Sequence, residues 1–135
     1  MSIPQDLKLY DAEYRFALVV WEHEPVRSGE LARLCAEELG WKRTTTYTVL
    51  KKLCAKGIFR NENSIVTALV KKEQVQRYES QSLLEKSFGG SLPRFITAFL
   101  GDRQLSQEEA DELQALIDRH RQAEKGAERE GRDAQ

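Results

Sequence analysis

Apolar positions repeat at helical spacing through most of this chain and switch to a two-residue rhythm over one short stretch. In the first segment Tyr14, Ala17, Leu18 and Trp21 fall at i, i+3, i+4 and i+7, the spacing of one helix face. Asp11 stands where its carboxylate can accept from the free amides of Ala12, Glu13 and Tyr14, and Pro25 closes the segment. Val26-Arg27 leaves room for a very short strand. Ser28 then reads as the cap of a second helix, with Leu31, Leu34, Cys35 and Leu39 on one face and Gly40 as its stop. Trp41-Lys42-Arg43 turns the chain into a third helix predicted over 44–56. Its buried face would be Val49, Leu50, Leu53 and Cys54, and Gly57 ends it.

The two-residue rhythm follows, in Ile58-Phe59-Arg60 and again over 64–69, with Asn61-Glu62-Asn63 as the turn between them. Three helices followed by a hairpin is the order of a winged helix. A short turn at a glycine between the second and third helices makes 28–57 a helix-turn-helix. Its core would come from Tyr14, Leu18, Trp21, Leu31, Leu50 and Leu53.

The second half is helical throughout. A helix over 72–88 carries Val75, Tyr78, Leu83, Leu84 and Phe88, and Gly89-Gly90 ends it. Leu92, Phe95, Ile96, Phe99 and Leu100 then form a dense apolar stripe at i, i+3, i+4, i+7 and i+8. Ser106-Gln107-Glu108-Glu109 is a capping box that opens a last helix with Ala110, Leu113, Leu116, Ile117 and His120 on one side. Residues 122–135 are charged and unpatterned and read as a flexible tail. The fold class expected is mainly α with a small β-hairpin: a winged helix-turn-helix domain over 1–72, a helical dimerisation region over 73–121, and the tail.

So short a helix as 92–100 cannot hold its apolar stripe in water alone. Either a second copy covers it or it folds back on its own chain. Symmetric dimers are the common form of helix-turn-helix proteins, which favours a homodimer interface of Leu84, Phe88, Leu92, Phe95, Ile96, Phe99, Leu100, Leu113, Leu116 and Ile117.

Charge sharpens this picture. The net charge is −1, yet residues 1–72 hold twelve Lys/Arg against nine Asp/Glu, and residues 73–135 hold nine against thirteen. Residues 39–61 contain six basic side chains and no acid, which suits a face meant for a polyanion. The outer face of the third helix reads Lys42, Arg43, Thr44, Thr45, Tyr47, Thr48, Lys51, Lys52, and Arg60 adds a cation in the wing. Short hydroxyl side chains can reach base edges in the major groove of double-stranded DNA while lysines and arginines contact phosphates. Threonine is a mediocre helix former, so three in a row at a helix start need a reason beyond propensity; capping or packing accounts for one of them.

Little supports an enzyme. His23 and His120 read as surface residues at helix ends, and no phosphate loop, HExxH or GxSxG occurs. No cofactor or metal is expected. Cys35 and Cys54 lack metal-ligand spacing and fall on apolar helix faces, as core residues or as a redox-sensing pair. No apolar run approaches the roughly 20 residues that span a bilayer, and the N-terminus has no signal-peptide pattern, so no membrane insertion and a cytoplasmic location are expected.

These residues together resemble the penicillinase-repressor family (BlaI/MecI, with the copper-responsive repressors as relatives). The similar stretches are Asp11-Ala12-Glu13-Tyr14 through Trp21-Glu22, Trp41 with Thr45, Thr48 and Leu50, and Leu53-Cys54-Ala55-Lys56-Gly57. Leu69-Val70, Ser82-Leu83-Leu84, Phe88-Gly89-Gly90-Ser91-Leu92 and Leu105-Ser106 to Leu113 continue the match, which covers about residues 6–121. The resemblance implies a homodimeric repressor on palindromic operators, with Thr45, Tyr47 and Thr48 at the DNA. It also implies a membrane sensor protease as partner, acting at an Asn-Phe pair in the arm. Ala98-Phe99 stands there in this chain, without the asparagine. The cysteine-rich metal motif of the copper relatives is absent from the tail, and Ile65-Val66-Thr67-Ala68 replaces the family's aromatic and proline pattern in the wing. Two other readings compete with a repressor: a winged-helix protein-interaction module, and a direct sensor of a redox or small-molecule signal.

Overall fold

The computed structural model describes residue 4 and residues 6–133, with side chains described through residue 121. In chain order the elements are α1 (Asp11–His23), β1 (Val26–Arg27), α2 (Ser28–Leu39), α3 (Arg43–Ala55), β2 (Phe59–Glu62), β3 (Ile65–Ala68), α4 (Lys72–Phe88), α5 (Leu92–Leu100) and α6 (Gln107–Asp133). The three strands form an antiparallel sheet in the order β1-β3-β2. Mainly helical, with one small sheet, this is the winged-helix architecture expected.

Local chemistry explains most element ends, and two caps differ from expectation. Asp11 lies inside α1; Tyr10 is its N-cap, and Glu13 Oε1 accepts the Tyr10 N–H at 2.9 Å. Ser28 is likewise the first residue of α2, with Arg27 as N-cap. The Ser28 N–H is already used, donating to Ser64 O at 2.8 Å, so the strand pairing of the wing reaches into the start of α2. Gly40 ends α2 in the left-handed region at φ +70°, a conformation glycine adopts without a Cβ penalty.

The hairpin turn also shifts. Asn61 and Glu62 pair with Val66 and Ile65, so the loop is Asn63-Ser64, both at positive φ (54° and 62°). A two-residue loop of this hand matches the twist of the flanking strands.

Residues 1–92 form one compact unit and 93–135 a second. In the first, α1, α2 and α3 pack with the sheet around Phe16, Val20, Leu31, Cys35, Leu50, Leu53, Ile58, Phe59, Val66, Val70 and Val75. Phe59 meets Phe16 and Trp21 edge-on, at 5.9 and 6.2 Å between ring centroids. Of the core expected from sequence, Leu31, Leu50 and Leu53 are buried and Tyr14 and Trp21 pack against the cluster half-exposed, while Leu18 sits in a surface cleft. The compact unit runs past the expected boundary at residue 72. Val75 of α4 is fully buried in the winged-helix core, and the Tyr78 hydroxyl donates to Asp6 Oδ1 at 3.0 Å.

In the second unit no residue of α5 is buried, and Phe95 and Phe99 stack at 5.8 Å with Arg103 over the Phe99 ring. Ser106 Oγ accepts the Glu109 N–H at 3.1 Å at the start of α6, as its capping box predicts. The backbone of α6 runs to Asp133, so the helix continues past the expected end at residue 121 through most of the stretch read as an unpatterned tail; the side chains beyond residue 121 lie outside the described residues.

Candidate nucleic-acid interface

Three residues join α2 to α3, and each has a task. Gly40 supplies the left-handed turn. The Trp41 N–H donates to Cys35 O at 3.3 Å while its ring lies parallel to Phe16 at 6.0 Å, which pins the turn to α1. Lys42 is the N-cap of α3 and is exposed.

The orientation of α3 follows from its inner face. Thr46, Leu50 and Leu53 are buried, and the Thr46 hydroxyl donates to Lys42 O at 3.4 Å. One of the three consecutive threonines is therefore a packing residue. Its burial turns Thr44, Thr45, Thr48, Lys51 and Lys52 outward, with Tyr47 half-buried at the edge. The Thr48 hydroxyl donates to Thr44 O at 2.9 Å, so that toward a ligand this exposed oxygen can act only as an acceptor while the bond holds. Arg43 is stacked 5.5 Å from the centre of the Tyr47 ring and donates to its hydroxyl at 3.2 Å, so this pair is held as one group.

The cations differ more than the sequence suggests. Lys42 and Lys51 make no ion pair among the described residues. Lys52 is 3.4 Å from Glu13 Oε2, an α1 carboxylate only 5% exposed, and lies near the Tyr10 ring. Arg60 is paired with Glu62 at 3.1 Å, two residues along the same face of β2, which offsets its charge. Glu13 is the residue that sequence reasoning missed. It caps α1 with one oxygen, while the other, buried and without a hydrogen bond, lies in ion-pair range of a lysine of α3, and a pairing 39 positions apart leaves no periodic trace.

Cys35 and Cys54 are free thiols. Burial pushes both pKa values up, against a hydrogen-bond contact with Thr46 at Cys35 and one with the Asn61 backbone at Cys54. Cys35 meets α3 at Thr46, and Cys54 lies eight residues further on, about 12 Å by helix rise, whereas a disulfide needs Cα atoms within about 7 Å. Both thiols should therefore label slowly with thiol reagents in the folded protein at neutral pH, the buried Cys35 more slowly than Cys54. Rapid labelling of either, followed by mass spectrometry, would contradict this placement.

The residues expected at a dimer interface present a largely open surface. Leu84, Phe88, Phe95 and Leu100 are half-buried, whereas Leu92, Ile96, Phe99, Leu113, Leu116 and Ile117 are exposed, Phe99 to 59%. Ala98 and Phe99 both lie exposed in the last turn of α5. Among the described residues, no helix is long and apolar enough to cross a membrane.

Residues 9–119 match the family model of the penicillinase repressor. The chain is 27% identical over 128 residues to the penicillinase repressor of Bacillus licheniformis, covering 92% of this chain and 98% of that protein. It is 22% identical over 121 residues to the methicillin resistance regulatory protein MecI of Staphylococcus aureus, covering 84% of this chain and 98% of that protein.

Proposed function

The chain belongs to the penicillinase repressor family, and from that premise we propose that it is a transcriptional repressor that binds double-stranded DNA as a homodimer through α3. The observation that carries this reading is the outward face of α3. Thr44, Thr45 and Thr48 stand exposed beside Lys42 and Lys51, and the helix itself contains no acid. In a major groove the threonines would meet base edges and thymine methyls, while Lys51 and the free amides at the start of α3 would meet phosphates. Two such helices, one per protomer, would read the two halves of a palindrome. Scission at Ala98-Phe99, the pair at the family's cleavage position, would part α6 from the winged domain and undo the dimer.

Lys51→Ala should weaken binding to every duplex and lower the slope of log K against log salt by about 0.9. Lys52→Ala should change that slope less, because Lys52 is already engaged by Glu13, and should lower stability by leaving that carboxylate buried without its cation. Titrations of labelled duplex across a salt series separate the two. Identical slopes for both variants would place the lysines equally in or out of the interface.

Thr45→Ala should act on sequence instead of affinity at large. The expected loss is about 1–3 kcal/mol on the cognate operator with little change on random duplex. Equal losses on both would show that α3 docks in another orientation.

A further inference from the structure

Away from the outward face of α3, three side chains with metal-binding atoms converge where α1 ends. Glu22 and His23 belong to the last turn of α1 and Glu38 to the last turn of α2, and one ligand atom of each lies within 4.8 Å of the others. The sequence presents His23 only as a helix-end residue, because Glu38 is brought beside it by the packing of α2 on α1.

His23 Nε2 is the telling atom. The side chain is 32% exposed, but this nitrogen itself is shut off from solvent and has no hydrogen-bond partner among the described residues, although a buried polar atom is ordinarily satisfied. Its nearest acid, Glu38 Oε1, lies 3.7 Å away, beyond hydrogen-bond range. That separation is close to the spacing of two donors around one ion. Bonds of about 2.0–2.2 Å in a tetrahedral site put neighbouring ligand atoms about 3.4 Å apart. The widest separation in the trio exceeds this, and Glu22 and Glu38 are exposed side chains free to move inward by rotation.

We infer that Glu22, His23 and Glu38 form a binding site for a divalent transition-metal cation of the zinc class, with water completing the coordination. The imidazole selects this class over magnesium or calcium, which prefer all-oxygen shells. A bare ion pair between His23 and Glu38 would require a protonated ring, and it would leave Glu22 without a part in the cluster. The bound cation would tie the end of α1 to the end of α2, two residues before the Gly40 turn that sets α3. Binding only the folded arrangement, it would stabilise the helix-turn-helix by mass action.

The test is equilibrium dialysis of the full chain against zinc, with thermal unfolding followed in parallel and magnesium as the comparison ion. The expected result is one zinc per chain at this site and a rise in Tm that magnesium does not produce. His23→Ala and Glu38→Gln should each weaken uptake at least about tenfold, the lower end of what even outer-shell partners contribute. Glu38→Gln changes an exposed side chain, so a folded variant is available if His23→Ala is unstable. His120→Ala should bind as the parent does. Undiminished uptake by the Glu38 or His23 variant, or no stoichiometric uptake by the parent chain, overturns the assignment.

Discussion

Replacing Phe99 with alanine should weaken self-association of this chain by several orders of magnitude. Phe99 stands 59% exposed near the end of α5, stacked on Phe95, and no residue of that nine-residue helix is buried. A helix of that length is not stable in water by itself, so the stripe of Leu92, Phe95, Ile96, Phe99 and Leu100 needs a cover. On the dimeric reading a second copy supplies it, together with Leu113, Leu116 and Ile117 of α6. Removing a phenylalanine from a packed interface costs about 3–5 kcal/mol, and a symmetric dimer loses it twice. Each 1.4 kcal/mol is about tenfold, hence the size of the shift. Sedimentation of parent and variant over a concentration series measures it. The winged unit should remain folded in the variant, because its core draws nothing from Phe99. Equal sedimentation of the two proteins would mean that the stripe is covered in some other way.

Phe59→Ala should destabilise the winged unit by about 3–5 kcal/mol, a large share of the roughly 5–15 kcal/mol that holds a domain together. Phe59 is 1% exposed, opens β2, and meets Phe16 from α1 and Trp21 from the same helix edge-on. Its removal opens a cavity where sheet and helix layers meet, and neighbours held in secondary structure cannot collapse into it. Ile65→Ala, at the 40% exposed start of β3, should stay within about 0.5 kcal/mol of the parent. Urea unfolding of the two variants gives the comparison. A small loss at Phe59 would show that the core relaxes around the vacancy.

How far the sequence foretells this molecule depends on how sharply each segment is punctuated. The 92–100 helix is legible to the residue, since Gly89-Gly90 precedes it, Gly101 follows, and its stripe has one period. The face of α1 is not. From Phe16 to Trp21 every position is apolar, so periodicity cannot choose between the Tyr14-Leu18-Trp21 stripe and the Phe16-Val20 stripe that the core takes. Only contact with β2 and Trp41 decides it. The reach of the first unit into α4 is hidden for a similar reason, since Val75, Tyr78, Leu83, Leu84 and Phe88 all lie on that helix and their spacing does not show which of them enters the winged core.

At the interface, the residue types were readable and their partners were not. The acid-free window marks α3, and Thr46 betrays itself as the threonine on the Leu50-Leu53 face. Glu13 beneath Lys52 comes from a segment 39 residues away, and no local pattern announces it. Glu62 beside Arg60 was in plain view, yet it became a partner only because Asn61 and Glu62 belong to the strand and not to the turn.

Selection from a random pool shows whether two copies of α3 read sequence in duplex DNA. The full chain is incubated with a library of random duplexes, the retained fraction is sequenced, and the enrichment is compared with the starting pool. The enriched duplexes should share an inverted repeat whose half-site centres lie about 10 base pairs, or a multiple of that, apart. Retained DNA no different in sequence from the starting pool would contradict sequence reading by α3.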